Sequence, residues 1–231
     1  MSRTLNVVRM QLVNRQTYIW VPLIVLGGAL LVTLAIYMML SNAGVDGPKY
    51  GGGAQAPLWY FGVVGIQALT LVFPFSQAMS VTRRELYFGT LLTSVLTSGI
   101  LAVVFVLGGL IEQATQGWGI NGYFFYLPWI WEAGALAAGF FFFVVAMLFF
   151  VVGFWAATIY KRFGNLWLTV ILVGLGLVLV GILWLITIAE AWPTVWEWFV
   201  NQGALGLSLW GTALLAVLAV SSWATVRRAI P

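Results

Sequence analysis

The chain has 231 residues, 62% of them hydrophobic and only 7% charged, with a net charge of +4. Soluble domains carry about a quarter charged residues, so a polar skin presented to water is excluded. Cys and His are both absent, which removes disulfides, thiol chemistry, the commonest metal ligand and the commonest general base.

The opening stretch SRTLNVVRMQLVNRQTYIWVP places Leu5, Val8 and Leu12 at helical spacing, with Asn6 and Arg9 on other faces. That spacing predicts an amphipathic helix within residues 1–17, lying in the membrane interface until the chain turns at or just before Pro22. Six apolar segments follow, at 18–40, 58–80, 91–111, 133–158, 166–189 and 204–226. Each has about the 20 residues needed to cross roughly 30 Å of hydrocarbon as a helix. None carries a charge in its interior. The first lasts more than twenty residues, too long for the core of a cleavable signal. No alternation of apolar and polar residues suggests barrel strands. The expected fold is an all-α integral membrane protein, a single transmembrane domain over 1–231 with six transmembrane helices.

The charges give an orientation. Arg3, Arg9 and Arg15 precede the first segment, Arg83 and Arg84 follow the second, Lys161 and Arg162 the fourth, and Arg227 and Arg228 the sixth. Opposite them fall Lys49 and five acids, Asp46, Glu112, Glu132, Glu190 and Glu197; Glu85 alone joins the basic side. The positive-inside rule then places both termini in the cytoplasm of a plasma membrane of bacterial inner-membrane type. The net positive charge reads as membrane topology, with no nucleic-acid partner implied.

Between the second and third segments runs MSVTRRELYFGTLL. Thr82 and Glu85 stand three apart, the capping-box spacing, so a helix restarts at Arg83. Gly89 follows within two turns, and Thr90 is placed to cap a second helix from Leu91. The expectation is a short separate helix, RRELYF. The stretch KRFGNLW repeats the local pattern, with Asn165 as its cap. Within the segments, Gln67, Thr70 and Gln77, the hydroxyls Thr93, Ser94, Thr97 and Ser98, the glycines Gly174, Gly176 and Gly181, and Ala135, Ala137 and Ala138 read as packing residues. Pro74 is expected to kink the second segment, and Phe140 to Phe143 to face lipid or a partner. In EAWPTVWEWFVNQG, Trp192, Trp196 and Trp198 around Glu190 and Glu197 suit an interfacial re-entrant segment. No catalytic or metal-binding constellation is expected.

In its place between the second and third of six spans, MSVTRRELYFGTLL resembles the membrane subunit of ATP-binding-cassette (ABC) transporters, of the type-two exporter permease group. The interfacial helix at 3–17 and the segment at 190–203 occupy places typical of that group. The resemblance implies that the short helix between spans two and three couples to an ATPase, through Thr82, Arg83, Arg84, Glu85, Leu86, Tyr87, Phe88 and Gly89. In that reading Leu86, Tyr87 or Phe88 fills an apolar groove on the partner. The chain has no G-x-x-x-x-G-K-[ST] phosphate loop. ATP and Mg are therefore expected on a partner, with no cofactor in this chain. The implied assembly has two ABC ATPase subunits and a second permease chain, identical or paralogous, in a lipid bilayer. Export follows from the resemblance, and apolar spans suit a hydrophobic or amphipathic substrate, with no binding residue assigned. Two other classes stay open: a secondary transporter or channel, and a membrane assembly or immunity subunit that transports nothing. Ion-coupled carriers usually keep a charge inside the membrane, and these segments have none away from their ends.

Overall fold

The computed structural model describes residues 3–72 and 81–227. Pro74, Gln77 and Arg228 lie outside the described residues. The architecture is nearly all helical: α1 (Arg3–Val13), α2 (Val21–Asn42, entered through a π-helical turn at Gln16–Trp20), α3 (Ala56–Thr70), α4 (Arg83–Ala114), the single turn α5 (Pro128–Trp131), α6 (Ala135–Phe163), α7 (Asn165–Ile188) and α8 (Trp192–Val226). Two short strands, β1 (Lys49–Tyr50) and β2 (Gly122–Tyr123), pair in parallel. Among the described residues, five helices are long and apolar enough to cross a membrane: Gln16–Asn42, α4, α6, α7 and α8. Of the 58–80 segment, residues 58–72 are described, most of them in α3, which is 15 residues long.

α6 is the hub, packed against α3, α8 and α4. Its closest approach is to α3, and glycine makes it possible. A Cβ at Gly65 would overlap the backbone carbonyl of Phe150, and one at Gly153 would overlap that of Gly62. The two helices meet backbone to backbone, as small residues allow between membrane helices. Around this seam pack Phe105, Phe142, Phe150, Phe154 and Leu69. Phe142 is therefore core, its ring 4.6 Å from that of Phe105, and does not face outward as the aromatic run suggested. Ala137 and Ala138 are buried as expected. α7 behaves oppositely. None of its side chains is buried, and Gly174, Gly176 and Gly181 meet nothing within 4 Å. The glycines expected to pack this helix meet nothing among the described residues, because α7 lies at the edge of the chain on α6.

Three local expectations are corrected. α4 runs unbroken over 32 residues from the Thr82 cap, so RRELYF is its first turns and not a separate helix. Gly89 and Thr90 do not end a helix because α1 uses them. Val7 sits so close that a Cβ on Gly89 would come 2.6 Å from it, and Gln11 Nε2 donates to Thr90 Oγ1 at 2.8 Å. The buried face of α1 is thus Val7, Val8 and Gln11, rotated from the Leu5–Val8–Leu12 stripe; Leu5 is exposed. Finally, Gly164, at φ +83°, precedes α7, and Asn165 is its first helical residue. Residues 190–203 are largely helical as the first part of α8, which Gly203 interrupts with φ +57°.

Candidate functional site

The first turns of α4 build the site. Thr82 Oγ1 accepts from the Glu85 N–H at 3.3 Å, and Glu85 Oε2 accepts from the Thr82 N–H at 2.9 Å. This reciprocal capping box satisfies two helix-end donors and puts a carboxylate where the helix dipole favours it. Arg83 Nη1 donates to the Arg227 carbonyl at 2.9 Å, which fastens the start of α4 to the end of α8. The Arg84 guanidinium lies 5.8 Å from the Phe88 ring centroid. Leu86 and Tyr87 turn inward. The Tyr87 ring lies 5.0 Å from Trp223 and 5.9 Å from Phe154, and its hydroxyl donates to the Ala219 carbonyl at 2.5 Å, beside Ser222 Oγ at 3.3 Å.

The candidate set thus divides by helical periodicity. Leu86, Tyr87 and Gly89 belong to the buried stripe that continues through Thr90, Thr93, Ser94, Thr97 and Ser98. Leu86 and Tyr87 are consumed by the chain's own core and do not fill an external groove. Thr82, Arg84 and Phe88 are exposed, and Arg83 and Glu85 are half-buried. Phe88 is 46% exposed. In that set it alone is a large apolar side chain facing outward.

The hydroxyls above the site serve packing. Thr93, Ser94 and Thr97 donate to carbonyls of their own helix, the habit of hydroxyls in apolar helices. Gln11 to Thr90 is the bond that crosses from α1 to α4. Ser98 Oγ and Gln11 Oε1 are buried with no hydrogen-bond partner among the described residues.

These contacts gather one end of the molecule. α1 lies on Gly89 and Thr90, α8 ends on Arg83, and Phe154, two turns before Lys161 and Arg162, lies under Tyr87. Most basic residues therefore share this end. The opposite end holds a residue whose role the sequence reading missed. Glu112, counted there as an outer-loop acid, is fully buried near the C-terminus of α4. Its Oε1 accepts from Trp118 Nε1 and the Phe124 N–H, both at 2.9 Å; its Oε2 accepts from the Phe125 and Tyr126 N–H groups, both at 2.8 Å. The segment that wraps it turns through left-handed backbone at Gln116, Gly117, Trp118, Gly119 and Asn121. That segment is tied down by Lys49 Nζ to the Ile120 carbonyl at 2.9 Å, by Tyr37 Oη to the Tyr123 carbonyl at 3.2 Å, and by the β1–β2 pairing. A carboxylate opposes the dipole at a helix C-terminus. Glu112 in that position was the sequence signal for a dedicated set of N–H donors. Glu190 and Glu197 are exposed beside their tryptophans, and no metal-holding group of acids occurs among the described residues. Family models, curated proteins and solved structures give no match to this chain.

Proposed function

We propose that this chain is the permease subunit of an ATP-driven ABC transporter, embedded by six spans with both termini in the cytoplasm, and that ATP hydrolysis resides on a separate ATPase. The carrying observation is the exposed Arg84–Phe88 pair on the capped first turns of α4. At about 1.5 Å per residue, the 32 residues of α4 make a rod about 48 Å long. A push on Arg84 and Phe88 is passed to α8 through Tyr87 and to α1 through Gly89 and Thr90. At its far end the same rod carries Glu112, which holds the outer segment 117–126. The reading that fits is one of mechanical coupling: the ATPase moves the tip, and the bundle and its outer cover respond. The surrounding apolar helices suit a hydrophobic or amphipathic substrate, and export is the direction that the family resemblance favours.

The test is purification of the intact complex, followed by ATPase and transport assays. Two ATPase chains and a second permease chain should accompany this one. Phe88→Ala should uncouple hydrolysis from transport with little change in melting temperature, since a desolvated aromatic anchor at an interface is often worth 2 kcal/mol or more and an exposed charge about 0–1. Glu85→Ala should act less on coupling. Full coupling after Arg84 and Phe88 are both replaced by Ala, or a complex without ATPase, rejects the reading. An ion-coupled carrier is the second reading, because Glu112 is a buried acid on an apolar helix, and such groups often mark ion paths. All four of its hydrogen bonds come from the protein's own N–H groups, which favours a structural role.

A further inference from the structure

We propose that the cleft between the α1–α2 elbow and the end of α3 binds an uncharged, hydroxyl-bearing headgroup of glycerol type. The cleft has a volume of about 100 Å³, and its polar lining is Gln11, Asn14, Thr17, Tyr18 and Gln67. Gln11 carries the argument. It is 2% exposed, its Nε2 is committed to Thr90 Oγ1 at 2.8 Å, and its Oε1 has no hydrogen-bond partner among the described residues. Buried polar atoms are nearly always paired, so an unpaired one beside a cleft points to a donor from outside the chain. Tyr18 is buried as well, and neither its hydroxyl nor the Gln67 side-chain amide makes a hydrogen bond among the described residues. Asn14 Oδ1 accepts from the Thr17 N–H at 3.2 Å, which leaves its NH₂ group to donate. The Thr17 hydroxyl is engaged by Tyr60.

The mixture of donors and acceptors names the occupant. Gln11 Oε1 needs a donor, the Asn14 NH₂ group needs an acceptor, and Tyr18 and Gln67 can serve as either. An anion only accepts and an ammonium only donates, so each would leave part of the set unmatched. None of these lining side chains carries a charge to compensate an ion. A hydroxyl both donates and accepts. The volume is several times the roughly 10–15 Å³ that one water needs and well below the roughly 300–1,000 Å³ of drug-sized sites. That range suits a head with two or three hydroxyls. Met10, Leu71 and Val72 complete the lining, and they match methylene groups where water would find no partner. Leu71 is 67% exposed, an apolar lip along which an acyl chain can leave. The inference holds whatever the chain transports.

The experiment places the purified full chain in nanodiscs of dioleoylphosphatidylcholine and counts retained monooleoylglycerol by native mass spectrometry. Methyl oleate, with the same acyl chain and no hydroxyl, is the comparison. Wild type should retain monooleoylglycerol in preference to methyl oleate. Tyr18→Phe and Gln67→Met each remove polar atoms and keep the bulk, so each should weaken retention about fivefold, the effect of one hydrogen bond. Thr70→Val lies on the same helix, but the Thr70 hydroxyl donates to the Ile66 carbonyl, so this variant should retain the ligand as wild type does. Competition by free glycerol would make the head alone the ligand, and its failure to compete would assign the site to a lipid; both support a hydroxyl-binding cleft. Three outcomes overturn it: equal retention of methyl oleate, wild-type retention in both Tyr18→Phe and Gln67→Met, or equal loss in Thr70→Val.

Discussion

Glu112 shows how much one side chain can fix. Four N–H groups converge on its two oxygens at 2.8–2.9 Å, three of them from consecutive backbone positions that no strand or helix serves. Glu112→Gln keeps the shape but exchanges one acceptor oxygen for an NH₂ group, which turns donors toward donors. Buried donors left unmatched cost about 1–3 kcal/mol each, and more where a charge was the partner. The variant should lose about 3 kcal/mol or more, read as a lower melting temperature in detergent. A cysteine placed at Ile120 should become more reactive in the same variant. An unchanged melting temperature and unchanged reactivity would show that segment 117–126 is held by Lys49 and Tyr37 alone. Little of this was legible in the chain. The acid itself was visible, but its donors come from residues six to fourteen positions away and depend on left-handed backbone at non-glycine Trp118 and Asn121, which composition does not announce. Thr82 and Glu85 were legible because both halves of their capping box are local.

At the scale of helices, the informative contrast is between two sets of glycines that look alike in sequence. Gly65 and Gly153 lie in the α3–α6 seam, where an added Cβ meets backbone that cannot swing aside. Gly65→Ala or Gly153→Ala must force the helices apart, and overpacking of this kind costs about 1–3 kcal/mol. Gly174→Ala on α7 meets nothing within 4 Å. It should leave the isolated chain as stable as before, or slightly more so, because Ala favours a helix by up to about 1 kcal/mol over Gly. Thermal unfolding of the three variants checks this ordering; equal destabilisation by Gly174→Ala would mean that α7 is packed by something else, such as a second chain. The apolar segments that became long helices were legible from length and hydropathy. Partner choice between them was not, since Gly65 and Gly174 have similar surroundings in sequence. The break expected at Gly89–Thr90 failed for a related reason. A glycine and a threonine suggest a helix boundary locally, yet here the glycine admits Val7 and the threonine receives Gln11, both from α1.

At the scale of the whole molecule, the end contacts bear on the proposed number of crossings. α1 and the start of α4 touch, and the start of α4 holds the end of α8, so these three lie at one end. Lys49 bonds Ile120 and Asn121 Nδ2 donates to the Asp46 carbonyl at 3.3 Å, so the turn after α2 and the turn after α4 lie together at the other. The path from Lys49 to Arg83 leads from the second end to the first, and this supports the proposed sixth span. The proposed reading has an even total, with the basic end in the cytoplasm as the positive-inside rule favours. Single cysteines at exposed Asn6, Gly52 and Asn165 test both steps, since the chain has no cysteine of its own. With an impermeant thiol reagent, intact cells should label Gly52→Cys, while Asn6→Cys and Asn165→Cys react only after permeabilisation. Asn6 and Asn165 on opposite sides would refute the even count. Both labelled from outside with Gly52 protected would keep the count and reverse the orientation. Such a reversal would leave Arg84 and Phe88 facing away from cytoplasmic ATP, and the coupling reading would fall with it.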